Sequence, residues 1–222
     1  MSIVVFDVNE TLLDLQALDE LFEQAFGDGG VRREWFAQVL QSAFVTTIVG
    51  TYVDFGSVGA TALDMVAERN GHTLATDARR EILARMRHLP AHADAAPALD
   101  RLVWAGFRLG ALTNSTLETA RQQLGNAGLA GHFEHILSAD SVRCLKPAAA
   151  VYRHAADAFA ADLGEIRLVA AHSWDVAGAT QAGCRAAFVA RPGMVLDPLF
   201  EQPDIVEDDL QAVAQRIIER QA

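Results

Sequence analysis

The sequence predicts an α/β protein: a parallel β-sheet with helices on both faces, interrupted near its start by a purely helical segment. Three observations carry this. Short apolar runs occur at "VVF" (4–6), "FRLGALT" (107–113), "HILSAD" (135–140), "IRLVAAH" (166–172) and "CRAAFVA" (184–190). From about residue 92 these runs alternate with stretches of helical periodicity, the pattern of strands joined by crossover helices. Between about 15 and 90 the periodicity is helical throughout, and nothing there reads clearly as a strand.

Taken in order, the first strand runs straight into an aspartate, in "VVFDVNETLLD" (4–14). Leu15, Leu18, Leu21, Phe22, Ala25 and Phe26 then recur at three- and four-residue spacing, as do Trp35, Phe36, Val39, Leu40, Ala43 and Phe44. A further helix is expected around 60–68, and another opens at Thr76, a suitable cap before Asp77. After "LTNST" the pair Ser115 and Glu118 reads as a capping box, and a helix is expected to start near Pro147. The resulting partition is a core of residues 1–14 and 92–222 with an inserted helical unit, residues 15–91.

Composition narrows the function. A chain of 222 residues with 51% hydrophobic content folds around a sizeable core. The formal net charge of −11, with its basic residues scattered, disfavours nucleic acid and anionic membrane as partners. Cys144 and Cys184 lie forty residues apart, outside any zinc or disulfide spacing, and are expected to be free thiols. No stretch reaches the ~20 apolar residues that span a bilayer, and none near the start reads as a secretion signal, so a cytoplasmic location is expected.

An open parallel sheet binds ligands beyond the carboxyl ends of its strands. There the sequence places Asp7, Thr113 with Asn114, and His172 to Asp175, with Lys146 in a loop before a helix. A carboxylate so placed can be a metal ligand, a general base or a nucleophile. It needs a cation nearby to stay ionised away from water, and Lys146 is the cation available among the strand-end residues. Each residue has a structural use when taken singly, as a turn former, a cap or a solvated lysine. Their joint placement at the strand ends is what points to a site.

Four segments, "FDVNETLLD", "LTNST", "KP" and "AAHSWD", resemble in order and spacing the motifs of the haloacid dehalogenase-like hydrolase superfamily. The helical insertion sits where that superfamily carries a cap. The resemblance implies a Rossmann-like core under a helical cap, with Asp7 as the nucleophile. Phosphatases of the superfamily place a second acid two residues after the nucleophile and hold magnesium through two acids after the fourth strand. Here those positions are Asn9 and Ala171, and only Asp175 remains. Both departures are shared with the type II 2-haloacid dehalogenases, in which an aspartate displaces halide through a covalent ester without a metal or other cofactor.

By that resemblance Asp7 attacks the halogen-bearing carbon, Thr11 and Lys146 orient it and balance its charge, and Asp175 pairs with Lys146 and helps place the hydrolytic water. Thr113 and Asn114 sit where the substrate carboxylate and the halide are held. Tyr152 matches a tyrosine near the site. Trp174 either walls the pocket or belongs to the core. His172 stands where those enzymes have asparagine, as a water-activating base or a hydrogen-bonding wall. Phe36 stands where they have a cap arginine that helps receive the halide, and Arg32 or Arg33, one turn earlier, can substitute. A phosphatase acting on a small phosphoester, or a small-ligand binding protein, are the alternatives. Phe44, Ile48 and Tyr52 are candidates for a homodimer face.

Overall fold

A computed structural model describes residues 3–220. Six strands, β1 (Ile3–Phe6), β2 (Arg108–Thr113), β3 (His135–Ser138), β4 (Ile166–Ala170), β5 (Arg185–Val189) and β6 (Ile205–Glu207), form one parallel sheet in the order β3-β2-β1-β4-β5-β6. Every residue of β1 and of β4 is buried, as expected of central parallel strands covered on both faces. Ile3 lies opposite Arg108 on one side and Ile166 on the other, so the chain order reverses at β1. The carboxyl ends of β1, β2 and β4 therefore open into one crevice.

The first strand leads into the helical segment. A 3₁₀ turn (Leu15–Leu18), capped by Asp14, precedes α1 (Asp19–Phe26), α2 (Val31–Val49), α3 (Phe55–Arg69) and α4 (Thr76–Arg85). The chain leaves and returns through a short two-stranded stem. Leu13 bridges Ala91, Asp14 donates its N–H to Pro90 O at 2.8 Å, and His92 donates to Leu12 O at 2.9 Å. The segment has its own core, in which Phe22 stacks on Phe26 and packs at a tilt against Trp35, and Trp35 Nε1 donates to Gly59 O at 2.9 Å.

Beyond the stem, α5 (Ala95–Trp104) packs on β2 and on the last helix, α9 (Leu210–Glu219). Between them come α6 (Leu117–Asn126), α7 (Ala149–Phe159) and α8 (Ser173–Ala182), with α7 against α8 and α8 over β4 and β5. Gly178 of α8 sits where a Cβ would lie 2.4 Å from Pro147 Cβ and 2.6 Å from Tyr152 Oη. Only glycine lets α8 approach the Lys146 loop and α7 this closely.

Three local expectations change. The cap of α6 is Thr116, whose Oγ1 accepts from Thr119 N at 3.3 Å; Ser115 is one residue too early for the capping box. Helix α4 already includes Thr76, and its cap position is Ala75, without a side-chain bond. Helix α7 starts at Ala149, two residues after Pro147, because Lys146 and Pro147 form a turn. Strand β6 extends the sheet by one strand beyond the five runs visible in the sequence. Both cysteines are free, and no described helix is long and apolar enough to cross a membrane.

The close approach at Gly178 is testable. Gly178→Ala is expected to destabilise the protein by about 1–3 kcal/mol through overpacking, read as a lowered denaturation midpoint. Gly125→Ala, where a Cβ meets open space in α6, is expected to be neutral or stabilising.

Candidate active site

Parallel pairing delivers Asp7 directly past the end of β1, where its N–H donates to Val169 O at 3.0 Å. Asp7 is 4% exposed, and three side chains contact its carboxylate. Lys146 Nζ donates to Oδ1 at 2.7 Å, Thr11 Oγ1 donates to Oδ2 at 2.7 Å, and His172 Nδ1 lies 3.1 Å from Oδ2. Burial alone would raise the Asp7 pKa. The Lys146 charge and the His172 bond outweigh it and hold the carboxyl well below the usual carboxylate range.

Lys146 is the hub of the site. Its ammonium, 1% exposed, also donates to Asp175 Oδ2 at 2.5 Å and to Leu112 O at 3.0 Å, so all three protons are engaged. Burial opposes this charge, but Asp175 and Asp7 keep the lysine pKa raised. Asp175 is wholly buried in the first turn of α8, and Tyr152 Oη donates to its Oδ1 at 2.6 Å. Burial lifts the Asp175 pKa above the ordinary range despite Lys146. The loop beneath is tied down in turn: Asn114 Oδ1 accepts from Lys146 N at 2.8 Å, and Thr113 Oγ1 accepts from Ser115 N at 3.2 Å. These two side chains thus build the strand-end turn.

Thr11 joins two strand ends, since its Oγ1 also accepts from Ala171 N at 2.9 Å. Behind it, Arg191 Nη2 donates to Thr11 O at 2.8 Å while the same guanidinium grips Asp94 at 2.7 and 2.8 Å. The sequence carries no signal for this Asp94–Arg191 clamp, because both residues lie in ordinary loop segments.

Glu10 was also not visible as a site residue. His172 Nε2 lies 2.9 Å from Glu10 Oε2, so the imidazole bridges two carboxylates. Burial pulls the His172 pKa down, yet its bonds to Asp7 and Glu10 win and push it up to about 9. Glu10 is held from the other side by Arg32, whose Nη1 is 3.6 Å from Oε1 and whose Nε bonds Asp19. Arg32, the candidate stand-in for a cap arginine, is therefore buried and committed to Glu10 and Asp19.

The roof is aromatic. Phe36 of α2 lies 6.1 Å from the His172 ring, and Trp174 stacks on His172 at 5.1 Å. Lys146 Nζ lies 5.8 Å from the Trp174 ring, so Trp174 walls the crevice rather than filling a remote core. Phe36 separates a cavity of about 420 Å³, reaching Ser115, Thr119 and Gln123, from one of about 660 Å³, reaching Glu10, Arg33, His92 and His172. Two residues expected on a dimer face point elsewhere. Phe44 packs edge-on against Trp174, and Tyr52 donates to Asp140 beneath the Arg143 guanidinium. Ile48 is exposed, with Val45 and Val49 beside it.

The fold could suggest a magnesium site, but these residues do not fit one. Asn9 Oδ1 is turned away to accept from Gln123 Nε2 at 3.1 Å, Ala171 offers no side-chain ligand, and both Asp175 oxygens are in use. Among the described residues no three His, Cys, Asp or Glu side chains gather as a metal-binding group.

The family model described as haloacid dehalogenase-like hydrolase matches residues 1–183. Haloacetate dehalogenase H-2 of Moraxella sp. (strain B) is 27% identical, over 96% of each chain. (S)-2-haloacid dehalogenase 1 of Pseudomonas sp. (strain CBS-3) is 30% identical over 84% of this chain and 83% of that one. A solved L-2-haloacid dehalogenase from Xanthobacter autotrophicus, with chloropropionic acid covalently bound, superposes with a TM-score of 0.91 over 98% of each chain at 25% identity.

The bridged imidazole has a measurable consequence for stability. Its folded pKa, about 9, lies above the unfolded value of 6.5, so the stability it contributes is complete below about pH 6.5 and is lost as pH rises through 9. The unsubstituted protein is expected to lose up to about 3 kcal/mol more than His172→Gln across that interval, measured by denaturant titration at each pH. Equal pH slopes in the two proteins would contradict the charged bridge.

Proposed function

The chain belongs to the haloacid dehalogenase-like hydrolases, and from that premise we propose that it hydrolyses a small 2-haloacid, with Asp7 displacing the halide through a covalent ester and without a metal. The observation that carries this reading is the environment of Asp7: a carboxylate gripped by Lys146 and Thr11, with Phe36 and Trp174 around the neighbouring His172 ring and no magnesium ligand set among the described residues. Halide leaves carbon as an anion and needs no proton, which suits Asn9 in the place of a general acid. The relatives' activities towards haloacetate and (S)-2-haloacids support the same class.

In this reading residues 15–91 are a cap hinged on the Leu13–Ala91 stem, and residues 1–14 and 92–222 are the core. The cap excludes water during displacement and opens to exchange ligands. Lys146 keeps Asp7 ionised and aims it, Thr11 fixes its rotation, and Tyr152 holds Asp175, which takes a proton from the hydrolytic water. Thr113 and Asn114 lead into the start of α6, whose helix dipole favours the substrate carboxylate. Phe36, Trp174 and the His172 ring enclose the carbon skeleton. With Phe36 in place of a cationic receptor, binding of the leaving halide depends on apolar enclosure, and the site favours substrates with small apolar side chains.

The expected outcome is halide release from 2-chloro acids, insensitive to EDTA, and lost by at least about 10³-fold in Asp7→Asn because the nucleophile is gone. No halide from a panel of short haloacids, or turnover that survives Asp7→Asn, would refute the proposal.

A further inference from the structure

We propose that His172, positioned by Glu10, is a catalytic residue of the second half-reaction: with Thr11 it donates to the oxyanion that forms on Asp7 Oδ2 when water attacks the ester. The inference rests on the haloacid reading above and adds a role for His172, which that reading leaves as a wall, and for Glu10, which it does not use.

The two oxygens of Asp7 are not equivalent. Oδ1 accepts one hydrogen bond, from Lys146, whereas Oδ2 accepts from both Thr11 and His172. A carboxylate oxygen has two lone pairs, so Oδ1 keeps one free to attack carbon and Oδ2 does not. Once Oδ1 is alkylated, Oδ2 is the ester carbonyl oxygen. It already has donors at 2.7 and 3.1 Å, the separation at which an oxyanion is stabilised.

Glu10 makes this donor a charged one. With carboxylate oxygens on both ring nitrogens, at 3.1 and 2.9 Å, only the imidazolium can donate at both ends. Alkylation removes the Asp7 charge but leaves Glu10 in place to hold the proton. Glu10 itself occupies left-handed backbone, with φ +62°, a conformation that costs a non-glycine residue free energy and that aims its carboxylate at His172. The charged and titratable groups facing this pair are Asp7 beyond β1, Arg32 on α2 and Lys146 through Asp7. Asp14, Arg33, His92 and Arg191 line the same cavity. The His172 pKa, pushed up to about 9, agrees with a ring that stays protonated at neutral pH.

Water oxygen bonds to Asp7 Cγ, the carbonyl electron pair moves onto Oδ2, and one water proton passes to Asp175. When the oxyanion collapses, the Cγ–Oδ1 bond breaks and Oδ1 leaves with the substrate carbon. It takes a proton from Lys146 Nζ, and Lys146 regains one from Asp175 along the 2.5 Å contact. The product is a 2-hydroxy acid, and the carboxylic acid left on Asp7 releases its proton to solvent. His172 donates throughout and gains or loses no proton.

The test mixes the unsubstituted protein, His172→Gln and Glu10→Gln with 2-chloropropionate and follows halide, hydroxy acid and intact-protein mass by rapid quench, with melting curves as the control for folding. In His172→Gln the first turnover of halide is expected to persist while the Asp7 ester accumulates, with hydroxy-acid formation slowed about 10²–10³-fold, as for loss of an oxyanion donor. In Glu10→Gln, which decides the matter alone if His172→Gln does not fold, the alkaline limb of hydroxy-acid formation is expected to move to lower pH. Ester that clears at the original rate, or an unmoved alkaline limb, overturns the role of the pair and leaves the haloacid reading intact. Absence of both halide and ester in the unsubstituted protein overturns both.

Discussion

The site depends on one buried ammonium group shared by two carboxylates. Lys146 Nζ sits between Asp7 and Asp175 at 2.7 and 2.5 Å with almost no exposure, so each charge is tolerable only because the other two are present. That constraint explains the architecture around it. Asp7 must end β1, Asp175 must open α8 after β4, and the Lys146 turn must pass beneath both. Gly178 permits that passage, and Asn114 pins the Lys146 backbone to the end of β2. A parallel sheet whose order reverses at β1 supplies these three ends within one crevice.

A second set of charges is layered on this hub and includes His172, one of this chain's departures from the pattern it resembles. Glu10, His172 and Arg32 run from the nucleophile into the helical segment, ending on Asp19. The arrangement links the helical segment to the Asp7 carboxylate by hydrogen bonds and ion pairs rather than by apolar contact alone. It also explains why Arg32 does not reach the nucleophile: Glu10 intercepts it. Phe36 then serves as a partition between two cavities, an apolar wedge placed over a strongly polar floor.

Much of this is legible in the sequence. The runs that became β1 to β5 are apolar and bounded by turn residues, and the residues after three of them carry the polar groups that converge. The helical character of 15–90 follows from periodicity alone. The rest was hidden for identifiable reasons. Strand β6 is three residues long and follows an irregular stretch, too short to show a period. The cap of α6 shifted by one residue because adjacent Ser115 and Thr116 offer competing hydroxyls, and α4 starts one residue early because the backbone of Ala75 takes the cap position without a side-chain bond. Glu10 reads as a solvated loop acid, because a sequence does not reveal that its backbone adopts a positive φ and turns the side chain towards His172. The Asp94–Arg191 clamp spans 97 residues and no periodicity links its partners.

The account stands on the covalent chemistry of a single carboxylate, and isotope transfer reads that chemistry directly. In one turnover in ¹⁸O-enriched water with enzyme in excess over a 2-chloro acid, the label is expected in the peptide containing Asp7, with unlabelled oxygen in the hydroxy acid. Label found in the product and none in that peptide would show that water attacks the substrate directly, and would contradict the account.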